Sequence, residues 1–535
     1  MATFDLLSEP WIPVLGLDGR PDELGLRQVL HQAPRLREIR DPLPTVEFGL
    51  YRLLVALVMD IHPLRDIQGL ADLLDAGQFD SERVDVYFQK WADRFDLFHP
   101  EHPFLQTAGM DADETKPLAG LLPPIPSGTG VLHFHHVKET DFGACPAAAA
   151  RLLTTIPPFM TAGGAGLSPS INGAPPWYGL VVGESLFETL CLNCCVLDLP
   201  AASGDAPTAW RNDCPPKTQG RSTSASLLEA LTWRPRRIHL IPGGSGRCSL
   251  TGADASTLVR TMRFSAGASC DFLWRDPSVP YRITTTKGPS PLRPQEGREV
   301  WRDIGPFALL RQADYKSEKG ETSFERPPVV TQYTRLVDQD VRRREAPLSL
   351  RLYGMRTDMK MKVFEWQREQ LPPIPYALLL AGAPGGEAQR AMDQGDSVAY
   401  YLKQAIKRAY PRQGAGNTKA FDTLVAAAQR RFWAELRPHY GTLLRTLAQP
   451  TPEAEYDARR AAWRADWQQA VRSTGDHALE WAIGDLDTDA DALRRLVEAR
   501  RFFGGGVWSL LNPQAASERR KGRRGAAPSK GGKQR

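Results

Sequence analysis

The sequence predicts an α+β fold, with an irregular mixed α/β N-terminal body and a C-terminal four-helix bundle. Up to about residue 365, short strand-like runs alternate with helical stretches, and many of the 44 prolines and 45 glycines interrupt them. After about residue 366, apolar residues recur at spacings of three, four or seven, which is typical of long amphipathic helices. A chain of 535 residues is also too long for one ordinary core, so two or three domains are expected.

The N-terminal body, residues 1–365, is predicted from short runs whose composition suits strands. One helix is predicted from Thr45 to Ile61. Segments rich in proline and glycine, at 121–130 and 161–176, are predicted to be loops. The four strand-like runs are Trp11 to Gly16, Arg237 to Ile241, Tyr281 to Thr286 and Leu348 to Leu352.

The C-terminal bundle, residues 366–512, is predicted from three apolar stripes and one further helical segment, Ala388 to Tyr410. The links at 411–417 and 449–452 are short, which favours antiparallel neighbours. We interpret the aromatic residues of the stripes as core. The stripes consist of Phe421, Val425, Phe432, Leu436, Tyr440, Leu443 and Leu447; of Tyr456, Trp463, Trp467 and Val471; and of Leu493, Leu496, Val497 and Phe503.

The net charge of +5 comes from the C-terminal end of the sequence. From Glu518 to Arg535 there are eight basic residues and one acid, which leaves 59 basic and 61 acidic residues of the 67 and 62 in the whole chain. Residues 513–535 are therefore predicted to be a basic disordered tail, and the body must bind any nucleic acid through local patches. The tail either adds phosphate contacts or only improves solubility, and the sequence leaves both interpretations open.

No segment indicates export or membrane insertion. The first eleven residues include Asp5 and Glu9 and no long apolar run. The longest apolar stretch, Leu53 to Met59, is far shorter than the roughly 20 residues that span a bilayer. We therefore expect a cytoplasmic protein that makes no membrane contact.

Seven cysteines in a chain of this kind are expected to be free thiols. Cys191, Cys194 and Cys195 have a spacing that could supply half of a zinc site, but no second pair completes four ligands. They lie in an apolar, helix-like run at 186–199. We therefore expect them to pack as small hydrophobic residues.

The motifs of nucleophilic and nucleotide-dependent enzymes are absent from the sequence. It has no G-x-S-x-G, and the run Gly163-Gly164-Ala165-Gly166 is not followed by the Lys-Ser/Thr of a P-loop. These glycines either permit close backbone approach to a ligand or form an ordinary loop. We expect no cofactor and no enzymatic activity.

Two groups of histidines could offer metal ligands: His133 with His135, and His99 with His102. The first pair lies on a segment that is expected to be extended, where alternate residues point to opposite faces, so at most these two histidines converge. The second pair is flanked by prolines instead of being spaced i, i+4 on a helix, and no carboxylate cluster accompanies either pair. We expect no metal site, and a metal-dependent nuclease that uses these four histidines is the alternative function.

The segment from Tyr353 to Lys362 is predicted to form a β-hairpin with a polar, basic tip. It follows the strand-like run Leu348 to Leu352 and precedes Val363-Phe364-Glu365-Trp366. Its tip is either an ordinary exposed turn or, through a methionine flanked by charged residues, a wedge between DNA base pairs.

Four segments, in order, resemble the large subunit of the type I-E CRISPR Cascade complex, the CasA family. They are residues 4–14 (FDLLSEPWIPV), 99–107 (HPEHPFLQT), 231–240 (LTWRPRRIHL) and 301–303 (WRD), and the predicted bundle follows where the family has one. The resemblance implies a non-catalytic subunit near the 5′ end of the guide RNA. Such a subunit probes duplex DNA for the protospacer-adjacent motif, helps to open the duplex and positions a separate helicase–nuclease.

The resemblance also implies the partners. They are the other Cascade subunits (the backbone, small and 5′-handle-binding subunits), CRISPR RNA, target double-stranded DNA and, transiently, the helicase–nuclease. A scaffold subunit whose DNA contacts are incidental is a further alternative.

By the same resemblance, three segments of this chain contact DNA. The family's glycine loop corresponds to Gly163, Gly164, Ala165 and Gly166, where a bare backbone can approach the minor groove and a side chain would clash. Its lysine finger corresponds to Lys287, in the sequence Thr-Lys-Gly after a strand.

The family's wedge hairpin corresponds to Gly354 to Lys362. Asp358 and Met359 stand where the family usually has Asn and Gln, so Lys360 and Lys362 are expected to carry the contact. A further loop, around Phe134 and His136, matches one that contacts the complex and DNA in relatives.

Overall fold

The computed structural model divides the chain into two compact units. The N-terminal unit comprises Met1–Glu296, Pro306–Ala308 and Lys316–Tyr376, and the helical unit comprises Gly297–Gly305, Leu309–Tyr315 and Ala377–Arg535. The predicted α+β class is confirmed. The structure describes residues 2–110, 115–122, 142–162, 167–200, 202–213, 216, 220–284, 288–308, 322–357, 363–380, 383–410, 418–449, 452–484 and 489–518.

The strands that the structure describes are short and belong to the N-terminal unit. They are β1 (Ile12–Gly16), β2 (Pro21–Leu24), β3 (Leu36–Ile39), β4 (Thr115–Pro117), β5 (Tyr178–Val181), β6 (Arg236–Pro242), β7 (Gly246–Arg247), β8 (Asp254–Ala255), β9 (Val259–Ala266), β10 (Tyr281–Thr284), β11 (Gly288–Pro291), β12 (Thr322–Glu325), β13 (Leu350–Thr357) and β14 (Val363–Gln370).

These strands form several small antiparallel sheets. The three-stranded sheets have the orders β2-β1-β3, β4-β9-β6, β11-β10-β12 and β14-β13-β5, and β7 pairs with β8. The four predicted strand-like runs are confirmed as β1, β6, β10 and β13, although β13 begins at Leu350 and continues to Thr357. Small separate sheets leave many strand ends and connecting loops, as the proline and glycine content predicts.

The α-helices are more numerous and differ greatly in length. They are α1 (Leu26–Gln32), α2 (Pro44–Ile61), α3 (Ile67–Ala76), α4 (Ser81–Lys90), α5 (Pro146–Thr154), α6 (Ile156–Phe159), α7 (Leu186–Asn193), α8 (Leu227–Leu231), α9 (Ile304–Ala308), α10 (Pro328–Asp338), α11 (Tyr376–Leu379), α12 (Ala383–Ala409), α13 (Thr418–Leu447), α14 (Glu453–Ile483) and α15 (Ala490–Leu511).

Helix α2 is buried within the N-terminal unit and confirms the predicted helix. It packs against α5, α6, α7 and α8 and against strands β13 and β14. Its apolar residues are buried around the whole circumference, which is typical of a helix enclosed by other elements. Two charged residues, Glu47 and Arg52, are buried with them. Because a buried charge is costly unless it is paired, both are expected to have partners in the core.

In the helical unit, α12 packs against α13, α14 and α15, and α13 packs against α14. The four predicted C-terminal helices are confirmed. The ring of Tyr440 on α13 contacts that of Trp467 on α14 edge-on, with centroids 5.7 Å apart. Trp301, from the segment Gly297–Gly305, lies 5.6 Å from Tyr440 and 5.7 Å from Trp433. This upstream segment therefore contributes to the core of the helical unit.

One predicted helix face is partly wrong. The predicted buried stripe of α15 includes Leu493 and Val497, but these residues are 48% and 63% exposed. Each follows a buried position by one residue, which turns the side chain about 100° around the helix axis. The stripe that packs in this helix consists of Ala492, Leu496, Ala499, Phe503, Val507 and Leu511.

The cysteine cluster packs in the apolar interior, as predicted. Cys191, Cys194 and Cys195 are at most 2% exposed, and burial raises the pKa of each thiol. The Cys194 thiol donates to the carbonyl oxygen of Leu190, 3.3 Å away. Within the described part of the chain, no helix is both long and apolar enough to cross a membrane.

Candidate nucleic-acid interface

Almost every residue predicted to contact DNA lies outside the described residues. This applies to Phe134 and His136, to Lys287, and to the two sets Gly163, Gly164, Ala165, Gly166 and Asp358, Met359, Lys360, Lys362. Only the start of the predicted wedge segment, from Gly354 to Thr357, is described. The stems that lead into and out of these segments are described, however, and they lie in the N-terminal unit.

The stems of the glycine loop are bound to one buried arginine, Arg236. Its Nη2 donates to the carbonyl oxygens of Thr161 (2.6 Å) and Ala162 (2.5 Å), and its Nη1 donates to the carbonyl oxygen of Ser168. Arg236 is the first residue of β6 and is 2% exposed. A single side chain therefore joins the residues on both sides of positions 163–166.

The predicted lysine finger connects two paired strands. Strands β10 and β11 are antiparallel, with Thr284 opposite Gly288, so residues 285–287 are the hairpin connection. Gly288 has φ of +66°, a left-handed conformation that glycine adopts without steric cost. Strand β12 pairs with the other edge of β10 and holds the hairpin in a sheet.

The β-hairpin predicted at the wedge segment is confirmed in its strands. β13 and β14 pair from Arg351 opposite Gln370 to Thr357 opposite Val363, with a register shift at Arg356. β13 also pairs with β5, so the hairpin extends a three-stranded sheet. The tip, residues 358–362, connects these strands.

Trp177 joins the base of the lysine hairpin to the wedge hairpin. Its backbone N–H donates to the carbonyl oxygen of Leu292, just after β11 (2.9 Å). A Cβ at Gly354 of β13 would lie 2.5 Å from the Trp177 ring and 2.9 Å from Pro294. Only glycine fits there, so Trp177 and Pro294 pack directly on the backbone of the wedge strand.

A buried polar cluster joins the glycine-loop segment to the lysine hairpin. Asp276 Oδ2 accepts hydrogen bonds from Arg52 Nη1 (2.8 Å) and from Asn172 Nδ2 (2.9 Å), and Asn172 lies shortly after the glycine loop. The Asp276 backbone N–H donates to the hydroxyl of Tyr281, the first residue of β10 (2.9 Å). Burial raises the pKa of Tyr281, so its hydroxyl stays protonated and donates to the carbonyl oxygen of Trp274.

A second buried cluster fixes the wedge hairpin to α2. Glu47 is fully buried and accepts a hydrogen bond from the Tyr353 hydroxyl (2.6 Å). It also forms ion pairs with Arg351 of β13 (3.4 Å) and with Arg368 of β14. Burial raises the pKa of Tyr353, which keeps the hydroxyl a donor. Both strands of the hairpin are therefore tied to one carboxylate.

The ring of Phe48, next to Glu47 on α2, contacts aromatic residues of β5, β13 and α6. It stacks on Tyr178 of β5 with centroids 4.5 Å apart, and it lies 5.2 Å from Tyr353 of β13. Phe159, which ends α6 shortly before the glycine loop, is 5.9 Å away. Residues 47, 48 and 52 of α2 therefore contact the wedge hairpin, Phe159 before the glycine loop, and Asp276, which is hydrogen-bonded to the start of the lysine hairpin.

Such a scaffold suits loops that must bind a rigid duplex. Contacts that are held in place by packed, hydrogen-bonded stems lose little conformational entropy on binding. The arrangement can therefore present short loops to a groove in a fixed relation to one another. Nothing in these described clusters resembles a nucleophile activated by a base.

The histidines of the alternative hypothesis are only partly described. His99 Nδ1 accepts from the backbone N–H groups of Glu101 (3.2 Å) and His102 (2.9 Å), so this nitrogen already has a structural role. His102 Nδ1 lies 3.2 Å from Arg94 Nη1. Within the described residues no group of three or more His, Cys, Asp or Glu could hold a metal ion. His133 and His135 lie outside the described residues.

Sequence reasoning missed the residues that support the loops, above all Glu47, Arg52, Arg236 and Asp276. A signal for two of them existed. Glu47 and Arg52 interrupt an otherwise apolar stretch from Thr45 to Met59, and charged residues inside an apolar helix are either on its surface or paired in the core. The sequence offers no sign of which distant residue completes each pair.

Comparisons with known proteins agree with this architecture. The model of a family described as CRISPR-associated protein Cse1 matches residues 5–474. The chain is 28% identical over 527 residues to CRISPR-associated protein CasA/Cse1 of Thermus thermophilus, covering 94% of this chain and 96% of that protein.

Solved structures resemble the chain over nearly its whole length. A crystal structure of Thermus thermophilus CasA has a TM-score of 0.72 at 25% identity, covering 95% of this chain and 99% of that one. Thermobifida fusca Cse1 has a TM-score of 0.74 at 23% identity, covering 95% and 98%. A chain of a CRISPR RNA-guided surveillance complex has a TM-score of 0.71 at 22% identity, covering 94% and 100%. The last two show the shared fold.

Proposed function

This chain belongs to the CRISPR-associated protein Cse1 family, and we propose that it is the non-catalytic large subunit of a CRISPR RNA-guided surveillance complex that recognises the protospacer-adjacent motif in double-stranded DNA. The resemblance to the CasA family seen in the sequence is thereby confirmed. A structural relative belongs to a CRISPR RNA-guided surveillance complex, which supports assembly of this chain into a complex of the same kind.

The observation that carries the proposal is the common scaffold beneath the three predicted DNA-contacting segments. Asn172 and Tyr281 converge on Asp276, and Trp177 packs on Gly354, so the stems of all three belong to one packed region of the N-terminal unit. Reading a short motif in one groove requires several contacts in a fixed relation. Unrelated surface loops would not need shared buried anchors.

Each segment has a distinct proposed role. The backbone at 163–166 approaches the minor groove, and the Lys287 amine donates to base-edge acceptors there. The hairpin tip enters the duplex beside the motif and promotes opening, so that the guide RNA can pair with the target strand. Lys360 and Lys362 provide its phosphate contacts, since Asp358 is unsuited to them.

The remaining roles concern partners. We infer contacts with the backbone, small and 5′-handle-binding subunits and with CRISPR RNA, in part through the loop around Phe134 and His136. Once the duplex is open, the subunit helps to recruit the helicase–nuclease that degrades the target. In this division of labour the protein reads the short motif, and base pairing reads the rest of the target.

The test is binding of the reconstituted complex to duplex targets with a randomised flank, comparing wild type with Lys287→Ala. Wild type should select a short flanking motif, and the variant should lose about 1–3 kcal/mol of that preference. Lys407→Ala, which removes an exposed lysine from α12 of the helical unit, is the charge-matched control and should retain selection. If wild type selects no flank, the motif-reading role is wrong, and the scaffold function becomes the better explanation.

A further inference from the structure

We propose that Arg236 is a positioning residue that clamps the two stems of the glycine loop and so fixes the backbone that contacts DNA. The inference rests on the proposed function, because it concerns how that contact is made. It assigns a role to a buried arginine that does not itself touch the nucleic acid.

The geometry of Arg236 is that of a clamp. Nη2 donates to Thr161 and Ala162 on the incoming stem, at 2.6 and 2.5 Å, and Nη1 donates to Ser168 on the outgoing stem. Nη1 also donates to the carbonyl oxygen of Pro235, 2.8 Å away, which ties the guanidinium to its own strand. Both stems are therefore held against the start of β6.

A second link closes the same loop without Arg236. The backbone N–H of Ser170 donates to the carbonyl oxygen of Met160 (2.9 Å). This bond brings the outer ends of the stems together, but it leaves the inner residues at 161, 162 and 168 to be held by the guanidinium. Arg236 thus holds residues on both sides of positions 163–166.

Arginine is suited to this task in a way that lysine is not. Its planar guanidinium presents five N–H donors in a rigid fork, so one side chain can donate to carbonyls on both stems of the loop. A lysine ammonium is a compact group with three donors on a flexible stem. It retains the charge but cannot span both stems in the same plane.

The charge of Arg236 is unusual for a residue 2% exposed. Its acceptors in the described part of the chain are main-chain carbonyls, and no carboxylate there forms an ion pair with it. Burial lowers the pKa of Arg236 to about 10, so the group is still protonated at neutral pH. The guanidinium also lies over the Phe264 ring, 5.6 Å from its centroid.

Four hydrogen bonds to main-chain carbonyls stabilise this buried cation through Nη1 and Nη2, whereas its Nε has no hydrogen-bond partner among the described residues. Arg236 and the loop stems therefore depend on each other: the carbonyls solvate the cation, and the cation holds the carbonyls in place. The same charge lies beside a segment proposed to meet DNA, where it adds attraction for phosphates. These two effects, clamping and charge, can be separated by experiment.

The experiment compares reconstituted complexes that carry wild type, Arg236→Lys, Arg236→Gln or the control Arg237→Gln. Arg237 follows on β6 with its side chain on the opposite face of the strand, and it is partly exposed. Two quantities are measured: hydrogen exchange of the amides at 160–170 in the complex without DNA, and the ratio of affinities for duplexes with and without the selected flank.

If the clamp exists, both Arg236 variants accelerate exchange at 160–170, and both lower the affinity ratio by roughly tenfold, the effect of misplacing one groove contact. Arg236→Lys should keep the wild-type affinity for unselected duplex, because it keeps the charge. Arg237→Gln should leave exchange and the affinity ratio unchanged.

Two results would overturn the clamp. Full selectivity in Arg236→Lys would show that only charge matters, and unchanged exchange in a folded Arg236→Gln complex would show that the stems need no clamp. If the Arg236→Gln complex does not assemble, the exchange rates and the affinity ratio of Arg236→Lys alone test the clamp. If the wild-type complex shows no flank selectivity while the Arg236 variants still accelerate exchange at 160–170, the proposed function is refuted and the clamp is supported.

Discussion

Replacing Arg52 with methionine removes the cation from the buried cluster beneath the candidate interface. Arg52 Nη1 lies 2.8 Å from Asp276 Oδ2, and the two side chains are 3% and 0% exposed. The same guanidinium donates to the carbonyl oxygens of Leu231 (3.1 Å) and Ala230 (3.3 Å). Methionine replaces the apolar stem of arginine but not its guanidinium, so the change removes the charge and three hydrogen bonds.

The expected loss follows from the burial of both partners. Removing one member of a buried ion pair costs about 3–5 kcal/mol, because the remaining charge stays in a low-dielectric site. Asp276 keeps its bonds from Asn172 Nδ2 (2.9 Å) and from the Ser278 backbone N–H (3.0 Å), which places the loss toward the lower end of this range. A loss of this size is a large fraction of the unfolding free energy of a typical domain.

The control is an exposed ion pair in the same unit. Arg221 Nη1 lies 3.2 Å from Asp271 Oδ1, but the side chains are 61% and 68% exposed. Arg221→Met should therefore cost less than about 1 kcal/mol. It carries the same chemical change as Arg52→Met, so a difference between them reports burial.

The assay is native-state hydrogen exchange of α2, residues 44–61, because it reports the local free energy of opening in a protein with two units. Asp276→Asn and the double variant complete a double-mutant cycle. The double variant should lose less than the sum of the single losses, since each single change leaves one buried group unsatisfied. A loss in Arg52→Met no larger than that in Arg221→Met, or strict additivity in the cycle, would refute the reasoning.

Two further predictions concern pH and salt. Burial lowers the pKa of His62 to about 4, so its contribution to stability is fully present above an unfolded pKa of about 6.5 and is lost as the pH falls toward 4. The unfolding free energy should fall by about 3 kcal/mol across this window, and His62→Phe, beside the Phe79 ring (5.7 Å), should flatten that part of the profile. An unchanged acid profile in the variant would contradict this assignment. Deleting residues 519–535 should weaken binding of the complex to selected and unselected duplexes alike and reduce the slope of affinity against salt, whereas a selective loss for one flank would assign the tail to motif reading instead.

Much of the architecture was determined by the sequence alone. Apolar periodicity predicted three of the four C-terminal helices, because burial of one face imposes a period on a sequence. The remaining helical stretches, including α2, and the short strand-like runs that became β1, β6, β10 and β13 were predicted from their composition. The wedge hairpin followed from a strand-like run, a polar turn and a second run. The family resemblance, and through it the proposed DNA-contacting positions, rested on ordered motifs such as residues 99–107.

The supports of the candidate interface were decided only by tertiary structure. The pairing of Arg52 with Asp276, of Glu47 with Arg368, and of Arg236 with the stems at 161 and 168 depends on which distant segments meet. No local pattern records such a meeting, because hydrogen bonds and ion pairs between remote residues leave no period in the sequence. The same holds for Trp301, which precedes the long helices yet packs in their core, and for the face of α15, where packing against α12 selected one of two adjacent apolar stripes.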